Sequence, residues 1–380
     1  YWKKQAEKGL IPFSQRIPVA PAIYKGSRIK ANGVKTTNSP DIPVTNLTNV
    51  AESENSVFVD PNNADYLLNS NNSTSWTGST VGSLYGANYF QSSNSGINWG
   101  GSPNGAGGDN SGDPATAIGL NGRQYINFID DPGGQGIAFS DNGTSWTTAT
   151  IAPNPGSLAD KNHMWIDNAT SSPYEGNLYA AWTDFGGSYD TEIRTSRSTN
   201  DGLVWSSPIT ISSAINAGSH NQGVNIQTGP NGETYLVWAI YDSWPSDETA
   251  LGFAKSTDGG VTYQTASRII SNIRGIRTTE VSKNHRVNSF PVMAVDISGG
   301  PNNGNIYIVW SNVGTPGINT GSNISVYMIR STDGGTNWST PIRVNQGPDI
   351  AGKEAYFPWI SCDPETGVLS VVFYDDRNVT

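Results

Sequence analysis

A short turn signature, roughly Ser-x-Asp-x-Gly-x-x-Trp, occurs five times in this chain. The two most regular copies read Ser256-Thr257-Asp258-Gly259-Gly260-Val261-Thr262-Tyr263 and Ser331-Thr332-Asp333-Gly334-Gly335-Thr336-Asn337-Trp338. Ser198-Thr199-Asn200-Asp201-Gly202-Leu203-Val204-Trp205 is close to them. Phe139-Ser140-Asp141-Asn142-Gly143-Thr144-Ser145-Trp146 and Ser92-Ser93-Asn94-Ser95-Gly96-Ile97-Asn98-Trp99 are looser. Repetition of this kind constrains architecture strongly, because a repeated supersecondary unit buries its apolar face only by stacking on its neighbours. The signature has a mechanical reading. Asn94, Asp141, Asn200, Asp258 and Asp333 take the position whose side chain accepts hydrogen bonds from nearby backbone N–H groups. The glycine supplies a positive φ, and the aromatic ring buries a large area between sheets. No copy places a nucleophile beside a base, so these boxes read as scaffold.

The box-closing aromatics Trp99, Trp146, Trp205, Tyr263 and Trp338 are 47, 59, 58 and 75 residues apart. Each box lies within a longer unit. In the fifth unit a short strand, Phe290-Pro291-Val292-Met293-Ala294-Val295-Asp296, precedes a stronger one, Asn305-Ile306-Tyr307-Ile308-Val309-Trp310. Ser325-Val326-Tyr327-Met328-Ile329-Arg330 then leads into the box, and Pro341-Ile342-Arg343-Val344 closes the unit. Four strands at such a period are the pattern of a propeller blade, with the length differences placed in loops. The sixth unit starts at Phe357-Pro358-Trp359-Ile360 and stops after Leu369-Ser370-Val371-Val372-Phe373-Tyr374. Asp41-Ile42-Pro43-Val44-Thr45-Asn46 resembles the outer strands of other units and is expected to close this last blade, removing a free sheet edge. A third strand with its own box is expected beyond residue 380. The prediction is therefore an all-β, six-bladed β-propeller over residues 41–380, with its last blade closed by an N-terminal strand and incomplete at the C-terminus. Residues 1–40, rich in Pro and Lys, are expected to form an extended arm.

Composition narrows the function classes. The net charge is −10 over 380 residues, which argues against nucleic acid as a partner. No apolar stretch is long enough to span a membrane. Abundant acidic loop residues would suit Ca²⁺, although no cofactor is required by the pattern. Cys362 is the single cysteine, so no intramolecular disulfide can form. Its apolar neighbours predict a buried core thiol.

The boxes in register and the four-strand units resemble the Asp-box (BNR-repeat) β-propellers, the superfamily that includes sialidases, over roughly residues 42–380. The resemblance implies a sialidase-like propeller. It also implies, for members that are sialidases, an arginine triad for the substrate carboxylate, a Tyr/Glu nucleophile pair and an Asp acid/base. The first arginine of such a triad lies in an Arg-Ile-Pro sequence on the first inner strand. Here Arg16-Ile17-Pro18 falls in the N-terminal arm, and the aligned strand Val57-Phe58-Val59 carries no arginine, a departure from the family pattern.

Aligning the units places a candidate site where the loops entering the inner strands meet those joining second and third strands. The catalytic candidates are Glu54, Asp113 and Asp160, since glycoside hydrolysis needs two carboxyl groups, one kept protonated by its surroundings. Lys161, His220, Tyr241, Trp244, Arg286, Tyr356 and Arg377 are candidate ligand-binding groups, the aromatics as platforms for sugar rings. Asp130 with Asp131, and Asp375 with Asp376, follow second strands and are the candidate Ca²⁺ ligands, with polar turn-capping as the alternative. Three functions fit this pattern. The first is a secreted or cell-surface propeller recognising extracellular glycan or protein through its funnel face. The second is an active, exo-sialidase-like glycoside hydrolase. The third is a structural propeller within a larger surface protein, joined to further domains of the same polypeptide.

Overall fold

The second strand of each middle unit is an unbroken apolar run, such as Tyr235-Leu236-Val237-Trp238-Ala239-Ile240-Tyr241. A strand of that kind is satisfied only when both of its faces are covered. The computed structural model shows this arrangement. It describes residues 27–31, 35–39, 41–77, 80–215, 218–278, 286–346 and 353–376. Every residue of Thr234–Tyr241 and of Ile306–Val313 is buried. Trp182, Trp238 and Trp310, one on each second strand of three successive blades, are fully buried. Truncating any of them to alanine would cost about 3–5 kcal/mol.

The fold is a β-propeller with five four-stranded blades. The first has Val50–Asp60, Asn63–Thr77, Tyr89–Ser92 and Gly100–Ser102, with Thr80–Ala87 paired as an extra strand on Asn63–Thr77. The second has Ala115–Ile118, Gln124–Ile129, Gln135–Ser140 and Thr147–Ala152. The third has Leu158–Ile166, Leu178–Phe185, Ile193–Ser198 and Ile209–Thr210. The fourth has His220–Thr228, Thr234–Tyr241, Ala250–Ser256 and Ser267–Ser271. The fifth has Val292–Val295, Ile306–Val313, Ile324–Ser331 and Ile342–Arg343. Each is an antiparallel meander running outward from its inner strand. Among the described residues the helical content is two 3₁₀ turns, Gly187–Tyr189 and Ser212–Ala214, and no helix is long and apolar enough to cross a membrane.

The expectation of six blades is corrected in two respects. The sixth sheet has two strands, Ala355–Cys362 and Leu369–Asp375, packed on the fifth blade through Ile360, Val371 and Phe373. Residues 41–46 form no strand, so the N-terminal segment does not complete that sheet. Two prolines in the wider stretch, Pro40 and Pro43, explain this in part, since proline withholds a ladder donor. In the arm, Ser27–Ala31 pairs antiparallel with Lys35–Ser39. Trp359 of the sixth sheet lies 5.9 Å from His163 of the third blade, ring centre to ring centre. Trp165 of the third blade stacks beside His163 and packs against Phe58 of the first blade, so aromatic side chains meet across the axis.

The box turns pin one blade to the next. In each, the serine hydroxyl donates to the Asp or Asn side chain two residues on, at 2.8–3.2 Å. It also accepts from the box glycine N–H, at 2.9–3.1 Å. Trp146, Trp205, Tyr263 and Trp338 pack into clusters formed by their own blade and the preceding one. One box position is corrected. Asn142, not Asp141, is the turn residue of the second box, its Oδ1 accepting from the Thr144 and Ser145 N–H groups. Asp141 instead pairs with Arg123 at 2.6 Å. That box is one residue shorter than the others, which shifts the alignment. Asn94, Asn200, Asp258 and Asp333 hold the expected position. Cys362 is half-buried rather than a core thiol, and burial followed by the nearby Asp296 and Asp363 pushes its pKa up to about 12.

Candidate functional site

The inner strands share a defect that shapes the funnel. Pairing with the second strand breaks register between Ser53 and Ser56, Asp160 and His163, Gln222 and Asn225, and Tyr356 and Trp359. At each break one residue adopts left-handed backbone: Glu54 (φ 56°), Lys161 (φ 54°), Gly223 (φ 74°) and Phe357 (φ 51°). Asp113 does the same (φ 57°) just before the second inner strand. Bulges of this kind re-aim a side chain out of the alternating pattern. Outside glycine the conformation is uncommon and costs about 1–2 kcal/mol per residue. In the fourth blade it falls on glycine for a visible reason, since a Cβ on Gly223 would stand 2.2 Å from the Phe290 ring.

Two of these bulges and the left-handed Asp113 bring Glu54, Asp113 and Lys161 together. They line a pocket of about 320 Å³ with Asp160, Arg277, Arg286 and Trp244. Lys161 Nζ lies 3.4 Å from Glu54 Oε2. Asp113 is fixed by Asn72, whose amide donates to its carboxylate at 3.2 Å and whose side-chain oxygen accepts from its backbone N–H. Asp160 caps the Lys161 N–H at 2.7 Å. The Glu54 pKa is raised to about 7. Desolvation by burial is the main cause, followed by the Asp113 charge, while Lys161 pulls the other way. Burial alone would lower the Lys161 pKa, but the carboxylates of Glu54, Asp113 and Asp160 outweigh it and hold the amine above its ordinary range. The site thus has one carboxyl group poised between its two protonation states at neutral pH, as a general acid or base requires.

Trp244 borders the pocket but is already occupied. Its ring stacks on His220 at 3.7 Å and carries the Arg277 guanidinium at 4.0 Å. These contacts cover part of the ring, which remains 40% exposed at the rim of the pocket. His220 is buried, and desolvation lowers its pKa to about 4, so it is neutral beneath the indole at physiological pH. Tyr241 is fully buried, donating to Glu248 at 2.6 Å, and burial raises its pKa well above the usual phenol range. Tyr356 is buried against Tyr374. Both are anchors, not ligand platforms. Arg377 and Arg16 lie outside the described residues.

The acidic pairs proposed for Ca²⁺ serve other contacts. Asp130 accepts from the Gly134 N–H at 2.7 Å within its own turn. Asp376 accepts from the Glu354 N–H at 2.7 Å, closing the sixth sheet against its inner strand. Asp131 follows Asp130 in the same turn, and Asp375 is the last residue of strand Leu369–Asp375. Among the described residues no three His, Cys, Asp or Glu side chains gather as a metal would require. Sequence reasoning missed Arg277. It sits in the long segment after the fourth blade, where no repeat position marks it.

No protein-family model and no curated protein sequence matches the chain. Solved structures do. A protein of unknown function from Dyadobacter fermentans DSM 18053 aligns over 86% of this chain and 94% of its own, with TM-score 0.51 and 13% identity. The NanB sialidase of Streptococcus pneumoniae aligns over 89% of this chain and 68% of its own, with TM-score 0.53 and 10% identity. An α-L-arabinanase of Penicillium chrysogenum, solved with arabinobiose, aligns over 87% and 94%, with TM-score 0.49 and 15% identity. At these identities the likeness is one of fold.

Proposed function

We propose that the funnel pocket binds a carboxylate-bearing saccharide and that Glu54 exchanges a proton with it. One observation carries this reading: Glu54, with its pKa near 7, is held by a strained bulge against Asp113 and Lys161. Strained backbone and a tuned carboxyl at one place are characteristic of functional sites. Lys161, Arg277 and Arg286 stand against Glu54, Asp113 and Asp160 around the same cavity. With Glu54 protonated the cations exceed the anions by one, which favours an anionic ligand. The fold likeness to a sialidase supports a glycan as that ligand. Such a ligand suits a secreted or cell-surface protein, and the five box turns support the Asp-box propeller assignment.

A second reading is recognition without turnover, and a specific contact favours it. Asp113 stands close enough to Glu54 for its charge to raise the Glu54 pKa. Hydrolysis by a carboxyl pair uses separations of about 5–5.5 Å or 6.5–9.5 Å. Asp113 therefore acts on the Glu54 proton instead of serving as its partner across the sugar. The test is to incubate the protein with neutral and acidic oligosaccharides, measuring binding by calorimetry and products by mass spectrometry. Binding confined to acidic sugars and lost in Arg286→Ala is expected. Turnover lost in Glu54→Gln would favour the first reading, and binding alone the second. Equal binding of neutral sugars, or none of any, would sink both.

A further inference from the structure

Two of the three cations around the funnel pocket come from outside the repeat. Arg277 and Arg286 both lie in the connection between the fourth blade, which ends at Ser271, and the fifth, which begins at Val292. A connection presents its side chains only as accurately as its own backbone is held. Both flanks of this one are held at a single side chain. Glu248 lies two residues before strand Ala250–Ser256 and is fully buried. Its Oε2 accepts from the Ile276 N–H at 3.2 Å, one residue before Arg277. Its Oε1 accepts from the Ser289 N–H at 3.0 Å, three residues after Arg286. The Tyr241 hydroxyl donates to the same Oε1 at 2.6 Å. One carboxylate thus joins the outgoing flank, the returning flank and the second strand of the fourth blade.

The surroundings stiffen this joint. The Glu248 carbonyl accepts from the Gly275 N–H at 3.0 Å. Asp247 accepts from the N–H and the hydroxyl of Thr278, at 2.8 and 2.7 Å. Ile276 and Val287, one on each flank, pack in the same apolar cluster with Val313 and Ile324 of the fifth blade. Gly275 permits the close approach, since a Cβ there would overlap Glu248 Oε2. Arg277 leaves the joint to lie over the Trp244 ring at 4.0 Å. Among the described residues Glu248 itself stands outside the pocket lining. Burying a carboxylate is costly unless its acceptor sites are filled, and a filled network fixes one arrangement of the segments it joins.

We propose that Glu248 is a positioning residue for the ligand site, setting the spacing of Arg277 and Arg286 by holding both flanks of the segment that carries them. The inference rests on the reading of the pocket as a site for an acidic saccharide. Guanidinium groups grip a carboxylate well only when their planes are held in register with it. Glu248 touches no ligand; the backbone at Ile276 and Ser289 carries its effect to the two arginines.

Glu248→Gln tests this, because the amide keeps the volume but offers one acceptor oxygen in place of two. Hydrogen exchange resolved to single amides is the first readout. Ile276 and Ser289 should both be protected in the parent protein. In Glu248→Gln protection should fall about tenfold or more at one flank or both, with Gly260 and Gly335 of the box turns unchanged. An unprotected Ile276 or Ser289 in the parent, or unchanged protection at both in the variant, overturns the proposal. Calorimetry with glucuronic acid is the second readout, with glucose as the neutral control. Glu248→Gln should weaken glucuronic acid binding about tenfold. In the Arg277→Ala background the same substitution should weaken it about threefold or less, since one of the groups it positions is gone. Equal factors in both backgrounds would mean a general loss of stability, and that result also overturns the proposal. Should Glu248→Gln not fold, Gly275→Ala, which pushes the carboxylate aside, replaces it in both readouts. A parent protein that binds neither sugar, or both equally, overturns the functional reading and this inference with it. A parent that binds glucuronic acid no more tightly than Glu248→Gln does overturns the inference alone.

Discussion

Lys161 Nζ lies 3.4 Å from Glu54 Oε2, and the two residues come from inner strands two blades apart, each in left-handed backbone. The ion pair therefore bridges the funnel rather than a single sheet. Neither side chain could reach the other if its strand kept the regular alternation of faces.

The Glu54 carboxyl has a pKa near 7 when folded and near 4.5 in an ordinary setting. A raised carboxyl pKa means that the folded state favours the protonated form. The associated stability is fully present below pH 4.5 and is lost as the pH rises through 7. Glu54→Gln removes this dependence. The variant should be about 1–3 kcal/mol more stable than the parent at pH 8 and nearly equal to it at pH 4. Urea unfolding at the two pH values decides; equal differences at both would refute the assignment.

Gly223 has φ 74° and a Phe290 ring where a Cβ would stand. Gly223→Ala should destabilise the fold by about 2–4 kcal/mol through strain and overpacking together. Thermal melts check this. A neutral substitution would mean that the fourth inner strand lacks the bulge.

The second box separates two adjacent polar residues. Asn142→Ala removes the turn's acceptor and should cost about 1 kcal/mol, the scale of a lost cap. Asp141→Ala removes an exposed ion pair with Arg123 and should cost between about 0 and 1 kcal/mol, vanishing at high salt. Chemical denaturation of both variants with and without added salt gives the comparison, and the reverse order would restore Asp141 to the turn.

The Asp130 and Asp376 carboxylates accept from backbone N–H groups. Chelation with EDTA should leave the melting temperature unchanged, and added Ca²⁺ should not raise it. A calcium-dependent rise of several degrees would instead make these carboxylates ligands.

Much of the fold is legible in the sequence because each unit repeats the same turn, and register follows from that turn. Glu54, Asp113, Asp160, Lys161, Arg286 and Trp244 converge on one cavity as the aligned units predict. Alignment places a residue along a strand but does not say which way it points. Tyr241 and Tyr356 share the right height with Glu54 yet turn inward, while the bulges that turn Glu54 and Lys161 toward the pocket leave no mark in composition. Asp141 misleads because a one-residue deletion puts an acid beside the working amide. The closing strand fails at residues 41–46 because an outer strand has so short a signal that a few matching residues suffice to suggest it. Arg277 belongs to a connection outside the repeat, where periodicity is silent.

The box aromatics couple each blade chiefly to its predecessor, so cohesion passes around the molecule link by link, as in a linear repeat array. Among the described residues the two flanking sheets pack on a neighbour on one side only, and strands Val50–Asp60 and Leu369–Asp375 alternate half-buried and exposed positions where the middle blades are covered throughout. Amide hydrogens there should exchange first, and unfolding should advance from both flanks toward the fourth blade, whose Trp238 would be the last indole to meet water.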